Sequence, residues 1–395
     1  MKLEHICFIV PNYPTAKDPM YTFVRELVVA ISNLGIKCSV IAPQSITNFI
    51  FKRKRKRPFK WQDHVNNKVA IDIYQPIHFP FLNIHIKGNN IAGELTSLAI
   101  KYAFNKYKLK PDILYAHFWH SGVIAAEISK KHHIPVFVAS GESKIRVESL
   151  YSRHRIDEAI REIKGVICVS GKNLDESINL GLCQKENAII VPNAINNKLF
   201  YKKNKDEVRN ILGYEKDEFI VIFVGAFTHR KGILRVMKAM EGLNARALFI
   251  GSGEQKPKGE NILFSGPLPH IQLVNYLNAA DVFVLPTLAE GCCNAIIEAM
   301  ACGLPVVSSN LSFNDELLNE KNSIRIDPND IEEIRKAIIK LKNDPDLRIK
   351  MSEKSLEFSK KLIVDMRAIK LINFIEDQVN INSGEKHEFI YKKTF

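Results

Sequence analysis

Apolar residues along the chain fall into short continuous runs separated by stretches of helical period. "HICFIV", residues 5–10, reads as a strand buried on both faces. In "TFVRELVVAISNLG" Phe23, Leu27 and Ile31 recur every four positions, which predicts an amphipathic helix closed by Gly35. "CSVIAP" supplies the next strand. The same succession returns in "DILYAHF", "SGVIAAEISKKHH" and "IPVFVAS", and again in "GVICVS", "GKNLDESINLG" and "AIIVPN". Such alternation predicts a parallel sheet covered by helices on both faces.

The second half restarts the pattern with "FIVIFVGAF", a helix near residues 231–242, "ARALFIGSG", "ILFSG", "HIQLVNYLNAA", "DVFVLP" and "EGCCNAIIEAMACGLPVV". Between the halves, "NAINNKLFYKKNKDEVRNILGYEKDE" is polar and charged and suits a linker with a short helix. Two doubly wound α/β domains, dividing near residues 195–215, are therefore expected, with boundaries set at 1–195 and 196–360. A further helical stretch, "KKLIVDMRAIKLINFIEDQ", occupies 361–380, and 381–395 is a polar tail to which no structure is assigned.

Composition agrees with this division, since 395 residues at 46% hydrophobic content can bury more than one core. "MKLEHICFIVPNYP" has too short an apolar run for a signal peptide, and no segment approaches the roughly 18–20 apolar residues that span a bilayer, so a cytoplasmic location is expected. The seven cysteines form no C-x-x-C pair and sit mostly in apolar runs, which predicts buried reduced thiols. His117 and His120 lack a nearby cysteine or carboxylate to complete a tetrahedral set, and no metal site is expected.

Lysine and arginine exceed aspartate and glutamate by 56 to 43, a net charge of +13, and one block concentrates the excess: Lys52, Arg53, Lys54, Arg55, Lys56 and Arg57 are consecutive. Like charges with nothing apolar to bury predict a mobile loop. It is open whether this loop is merely solvated or is drawn to an anionic membrane surface, at about 1 kcal/mol per basic residue. Nuclear targeting or nucleic-acid binding is a third reading of the run, although no nucleic acid is expected among the partners.

In open parallel sheets ligands bind beyond the carboxyl ends of the strands. "DVFVLP" is such a strand, Thr287 to Cys293 the loop after it, and Asn294 the N-cap of a helix "AIIEAMA" closed by Gly303. Eight residues of continuous helix would set Glu290 and Glu298 about 80° apart. With Glu290 in the loop and Glu298 in the first turns, both instead face one crevice at a helix amino terminus. Free N–H groups there favour phosphate, and carboxylates can accept from sugar hydroxyls. Equally, Glu298 can simply complement the helix dipole and Glu290 be a solvated loop acid. "VGAFTHRKGI" is a second loop of this kind: Gly225 ends a strand, and Arg230, Lys231 and Gly232 open a helix, where two cations would neutralise a diphosphate; taken alone the loop equally reads as a basic surface turn, and its pairing with the glutamate loop favours the first. Neither half has a G-x-G-x-x-G fingerprint, so nicotinamide or flavin binding is not supported.

"EGCCNAIIEAMACGLPVVSS" is similar to the E-x7-E element and following E-A-M-A-x-G-x-P-V-V run of glycosyltransferase family 4, the retaining nucleotide-sugar transferases. "VPNAINNKLF", "VGAFTHRKG", "FIGSGE", "DILYAHFWHSG" and "YPTAKDPMYTFVRELVVAISNLGIKCSVIAP" support it in the family's order. The resemblance implies the GT-B architecture: two Rossmann-like domains facing a central cleft, the first on the acceptor side and the second binding the nucleotide sugar, with the final helix crossing back to the first. It implies that Glu290 bonds the donor sugar and that Glu298 binds the ribose. It implies that Lys231 binds the diphosphate, and that the backbone at Cys292, Cys293, Asn294 and Ala295 touches sugar hydroxyls and phosphates. Gly251, Gly253 and Leu268 would border the base, His117 would lie near the reacting sugar, and Tyr13 and Tyr21 would sit beside the acceptor.

Three departures stand out. Ala226 replaces an arginine that often follows the strand-ending glycine, leaving Arg230 to supply the second charge. The glycines usual before the first helix are here Asp18, Pro19, Met20, Tyr21 and Thr22. Ser140, Gly141 and Glu142 stand where many members have a histidine. The expected activity is retaining transfer of a hexosyl or N-acetylhexosaminyl unit from a nucleotide diphosphate sugar to a glycan or lipid-linked saccharide, in cell-surface polysaccharide biosynthesis. No cofactor is expected beyond the donor itself, and a cytoplasmic protein would be peripheral at the inner membrane face if the basic run is drawn to that surface. A nucleotide-sugar epimerase, which needs no acceptor, and a non-catalytic glycan-assembly scaffold, which binds donor without turnover, are the alternatives.

Overall fold

The computed structural model describes residues 2–15, 20–50, 56–65, 69–79, 84–86 and 88–383. His5–Ile9 lies at the centre of an eight-stranded sheet in the order Ala188–Ile190, Ile163–Cys168, Val136–Ser140, Ile113–His117, His5–Ile9, Lys37–Ile41, Ala70–Tyr74 and Lys60–His64. Every pairing is parallel except the last, where Lys60–His64 runs antiparallel as an edge strand. The central strands are apolar on both faces because each face is covered. Thr22–Asn33 packs Val24, Leu27, Val28 and Ile31 on one side, and Trp119–His132 packs Val123, Ile124 and Ile128 on the other.

A second, six-stranded, all-parallel sheet follows: Ile262–Gly266, Arg246–Ile250, Ile220–Val224, Val282–Leu285, Val306–Ser309 and Ser323–Ile326. The short linker helix, Lys205–Leu212, belongs with it. Arg209 is buried and donates to Asp281 at 2.8 Å and to the Ala279 carbonyl at 2.9 Å, while Asp281 also accepts from Lys205 and from the Ile220 N–H. Those bonds satisfy an otherwise costly buried guanidinium and fix the helix to the sheet it precedes.

The chain crosses between the sheets twice, and the crossings touch. Ile195 and Ile363 form a parallel bridge, with Ile195 N donating to Leu362 O and Val364 N to Ile195 O. Beyond this point the Val364–Ser383 helix buries Ala368, Leu371, Ile372 and Ile375 among Phe8, Tyr115 and Phe137 of the first core. The helix thus continues into the segment expected as polar tail, of which residues 384–395 lie outside the described residues.

Of the basic run, Lys52 to Arg55 lie outside the described residues. Its last member corrects the expectation of a free loop. Arg57 donates to the Tyr13 carbonyl at 2.6 Å, and its own backbone exchanges bonds with the Gln44 amide, so it is seated on the first domain, while Lys56 beside it is exposed. Among the described residues, no helix is long and apolar enough to cross a membrane.

Candidate active site

The loops at the carboxyl ends of both sets of strands meet in a cleft of about 560 Å³, within the size range of small-molecule sites. One wall carries Tyr21, Phe23 and Glu26, and the other Gly225, Gly251, Leu268, His270, Asn294 and Glu298. Gly251 is required by the backbone: it has φ +147°, and a Cβ there would stand 1.9 Å from the Gly225 carbonyl oxygen. Two strand ends can approach this closely only without side chains.

Beside this cleft, the two loops singled out in the sequence are laced into one unit. Lys231 Nζ lies 2.6 Å from Glu290 Oε1, Arg230 Nη1 donates to the same oxygen at 2.9 Å, and Thr287 Oγ1 donates to it at 2.7 Å. Arg230 also donates to the Ala289 carbonyl, and Leu288 N to the Arg230 carbonyl. All these donors take Oε1, and Oε2 accepts none of them. The Lys231 stem passes beneath Gly225, where a side chain would meet its Cδ at 3.5 Å. Burial pulls the Lys231 ammonium down, but its neighbours Cys293 and Glu290 hold it above its ordinary range, so it is charged.

The caps differ slightly from the pattern read in the sequence. Cys293, not Asn294, is the N-cap of the Asn294–Ala301 helix, and it gives no side-chain bond. Asn294 is the first helical residue and lines the cleft, and Glu298 follows one turn later, buried against the second core. Arg230 and Lys231 form the turn before their helix, which starts at Ile233 after Gly232, whose φ of +82° no side chain adopts easily.

Other expected residues lie off the cleft. Tyr13 is fully buried and donates to Asp63 at 2.9 Å, in a cluster with Arg25 and Trp61, away from the cleft that Tyr21 lines. Gly253 does not border the cleft; it packs behind, against the Phe227 backbone. Cys292 turns to the interdomain seam, its carbonyl accepting from Asn193 Nδ2 at 3.2 Å, and Cys293 is buried. Ala295 is partly buried against the second core. All seven cysteines are buried and free, as expected, and burial pushes the Cys292 thiol up to about 12. His117 is only 3% exposed, enclosed by Phe23 and Phe118. Burial, then Arg367, lowers its pKa to about 3, leaving a neutral imidazole.

Two cleft groups escaped the sequence reading. Glu26 and His270 belong to helices whose apolar stripes alone were legible. Glu142, two residues past the Val136–Ser140 strand, does not line the cleft. Its carboxylate accepts from Trp119 N at 2.7 Å and Gly141 N at 2.9 Å, capping the Trp119–His132 helix whose own N-cap residue, Phe118, offers no side-chain bond. Among the described residues no cluster suits a metal ion.

Two facing parallel α/β sheets, ligand loops at their shared cleft and a last helix returning to the first sheet define the GT-B fold. Solved structures of that architecture superpose on nearly the whole chain. Sucrose-phosphate synthase from Thermosynechococcus elongatus does so with a TM-score of 0.76 at 19% identity, over 96% of this chain and 100% of that one. Anabaena HepE in complex with UDP does so with a TM-score of 0.69 at 16% identity, over 94% and 100%. Residues 204–358 match the family described as "Glycosyl transferases group 1". Relatives extend the likeness into the first half. The Bacillus subtilis glycosyltransferase TuaC, named for teichuronic acid biosynthesis, is 26% identical over 86% of this chain and 89% of its own. The Escherichia coli UDP-Gal:alpha-D-GlcNAc-diphosphoundecaprenol alpha-1,3-galactosyltransferase is 26% identical over 73% and 80%.

Proposed function

We propose that the protein transfers a hexosyl or N-acetylhexosaminyl unit, with retention, from a nucleotide diphosphate sugar to a glycan or lipid-linked saccharide in cell-surface polysaccharide synthesis. The observation that carries this reading is the Lys231–Glu290–Arg230 cluster beside a cleft that ends in Glu298. Two cations on one carboxylate leave a net positive charge at the start of the Ile233–Met240 helix, where a departing diphosphate gains most. Glu290 Oε2 is then available to a sugar hydroxyl and Glu298 to the ribose. The two cations meet the charge demand of the leaving group, so no metal is needed. Attack comes from the face the diphosphate leaves: the acceptor oxygen bonds the anomeric carbon as the bond to the diphosphate oxygen breaks, and the acceptor proton passes to that diphosphate.

The acceptor chemistry draws on the relatives' names, and a lipid-borne acceptor would give the basic run a purpose at the inner membrane face. A thermal-shift panel of UDP-, ADP- and GDP-sugars tests the donor half. One nucleotide series should raise the melting temperature by mass action, and Lys231→Ala should cancel the rise. Equal response to all, or to none, would overturn the assignment.

A further inference from the structure

Three ionisable groups from two domains face one another across the cleft. Glu26, on the Thr22–Asn33 helix, lines it from the first domain, and His270 and Glu298 line it from the second. His270 Nε2 lies 2.9 Å from Glu298 Oε1, and its ring is held against Phe200 at 4.9 Å. The charged groups that face His270 are Glu298 on the Asn294–Ala301 helix and Glu26 opposite. Those that bear on Glu26 are His270, Glu298 and, on its own helix, Arg25, which is turned away to Asp63. No lysine or arginine lines this cleft among the described residues. A half-buried space therefore holds two carboxylates and one imidazole.

We propose that Glu26 and His270 complete, with Glu298, a proton-dependent clasp on the ribose of the donor. His270 acts as a positioning residue: its N–H fixes Glu298 Oε1 and leaves Oε2 to accept from a ribose hydroxyl. Glu26 approaches from the other domain when the cleft closes. This rests on the reading that a nucleotide sugar occupies the cleft, and names what regulates its binding.

The physical reason is like-charge repulsion. Bringing Glu26 toward Glu298 in a poorly hydrated space is unfavourable unless a proton stays with the group. Burial pulls the His270 pKa down, but its bond to Glu298 and the charges of Glu298 and Glu26 more than reverse this and hold it above its ordinary value. Burial pushes the Glu26 carboxyl up to about 7, with His270 opposing and Glu298 adding to the rise. Both shifts favour the protonated forms, which are lost as the pH rises. Donor binding should weaken in the same direction.

Calorimetric titration with UDP-glucose, ADP-glucose and GDP-mannose at about pH 6 and about pH 8.5 tests this, because these phosphate diesters do not titrate in that range. For the sugar nucleotide that binds, the affinity of the wild-type protein should fall about tenfold between the two. Glu26→Gln should reduce that fall to about threefold or less by keeping affinity at the higher pH. His270→Asn should bind at both pH values about as weakly as the wild type does at the higher. Equal wild-type affinity at the two pH values, or an undiminished fall in either variant, would overturn the clasp while leaving the donor site intact. Failure of all three to bind would overturn the donor reading and the clasp with it.

Discussion

Replacing Glu290 or Lys231 separates what the site does for the fold from what it does for the donor. Both side chains are 12% exposed, whereas Arg230 is 43% exposed. Glu290→Ala therefore strands a buried ammonium, at about 3–5 kcal/mol, while Arg230 regains water at little cost. At about 2–4 °C per kcal/mol for a domain of this size, the melting temperature of the second domain should fall by about 10 °C. Lys231→Met behaves oppositely. Glu290 keeps Arg230 and Thr287 as donors, so stability should stay within about 1 kcal/mol. The diphosphate, however, loses a charge-assisted bond of about 1.5–3 kcal/mol, weakening UDP by about 10- to 100-fold. Scanning calorimetry with UDP titration on the two variants checks both halves. A Glu290→Ala protein that melts with the wild type, or a Lys231→Met protein that melts as low as Glu290→Ala, would refute the reasoning.

Gly251→Ala places a Cβ on the Gly225 carbonyl at a backbone angle that alanine avoids, and should cost more than about 3 kcal/mol in a denaturant melt; a normal midpoint would contradict it. Arg367 is 5% exposed, and its Nε and Nη2 make no hydrogen bond. Arg367→Met should therefore raise stability by about 1–4 kcal/mol in the same melt, and a clear loss would show that the guanidinium is satisfied. Neutral residues in place of Lys52 to Arg57 should weaken binding to anionic vesicles in a salt-sensitive way, read by co-sedimentation, and unchanged binding would count against the membrane role.

Strands such as His5–Ile9 and Val282–Leu285 were legible because burial on both faces leaves continuous apolar runs. The edge strand Lys60–His64 was not, since its residues KWQDH carry a polar pattern and pair on one side only. The Glu290 and Lys231 loops could be found from local spacing, but their union through a single carboxylate oxygen depends on how two strand ends sit in the sheet. Tyr13 was misplaced for the same reason: its partner Asp63 lies on that unforeseen edge strand. Glu26 and His270 carry no motif at all. They acquire meaning only when two domains set them across one cleft.

The central claim is tested most directly by incubating the protein with UDP-, ADP- and GDP-linked hexoses, radiolabelled in the sugar, and a membrane lipid extract. The account predicts that label from one nucleotide series enters the lipid or glycan fraction, and that Lys231→Met, although folded, transfers none. Transfer by Lys231→Met at the wild-type rate, or conversion of the nucleotide sugar with no acceptor present, would contradict it.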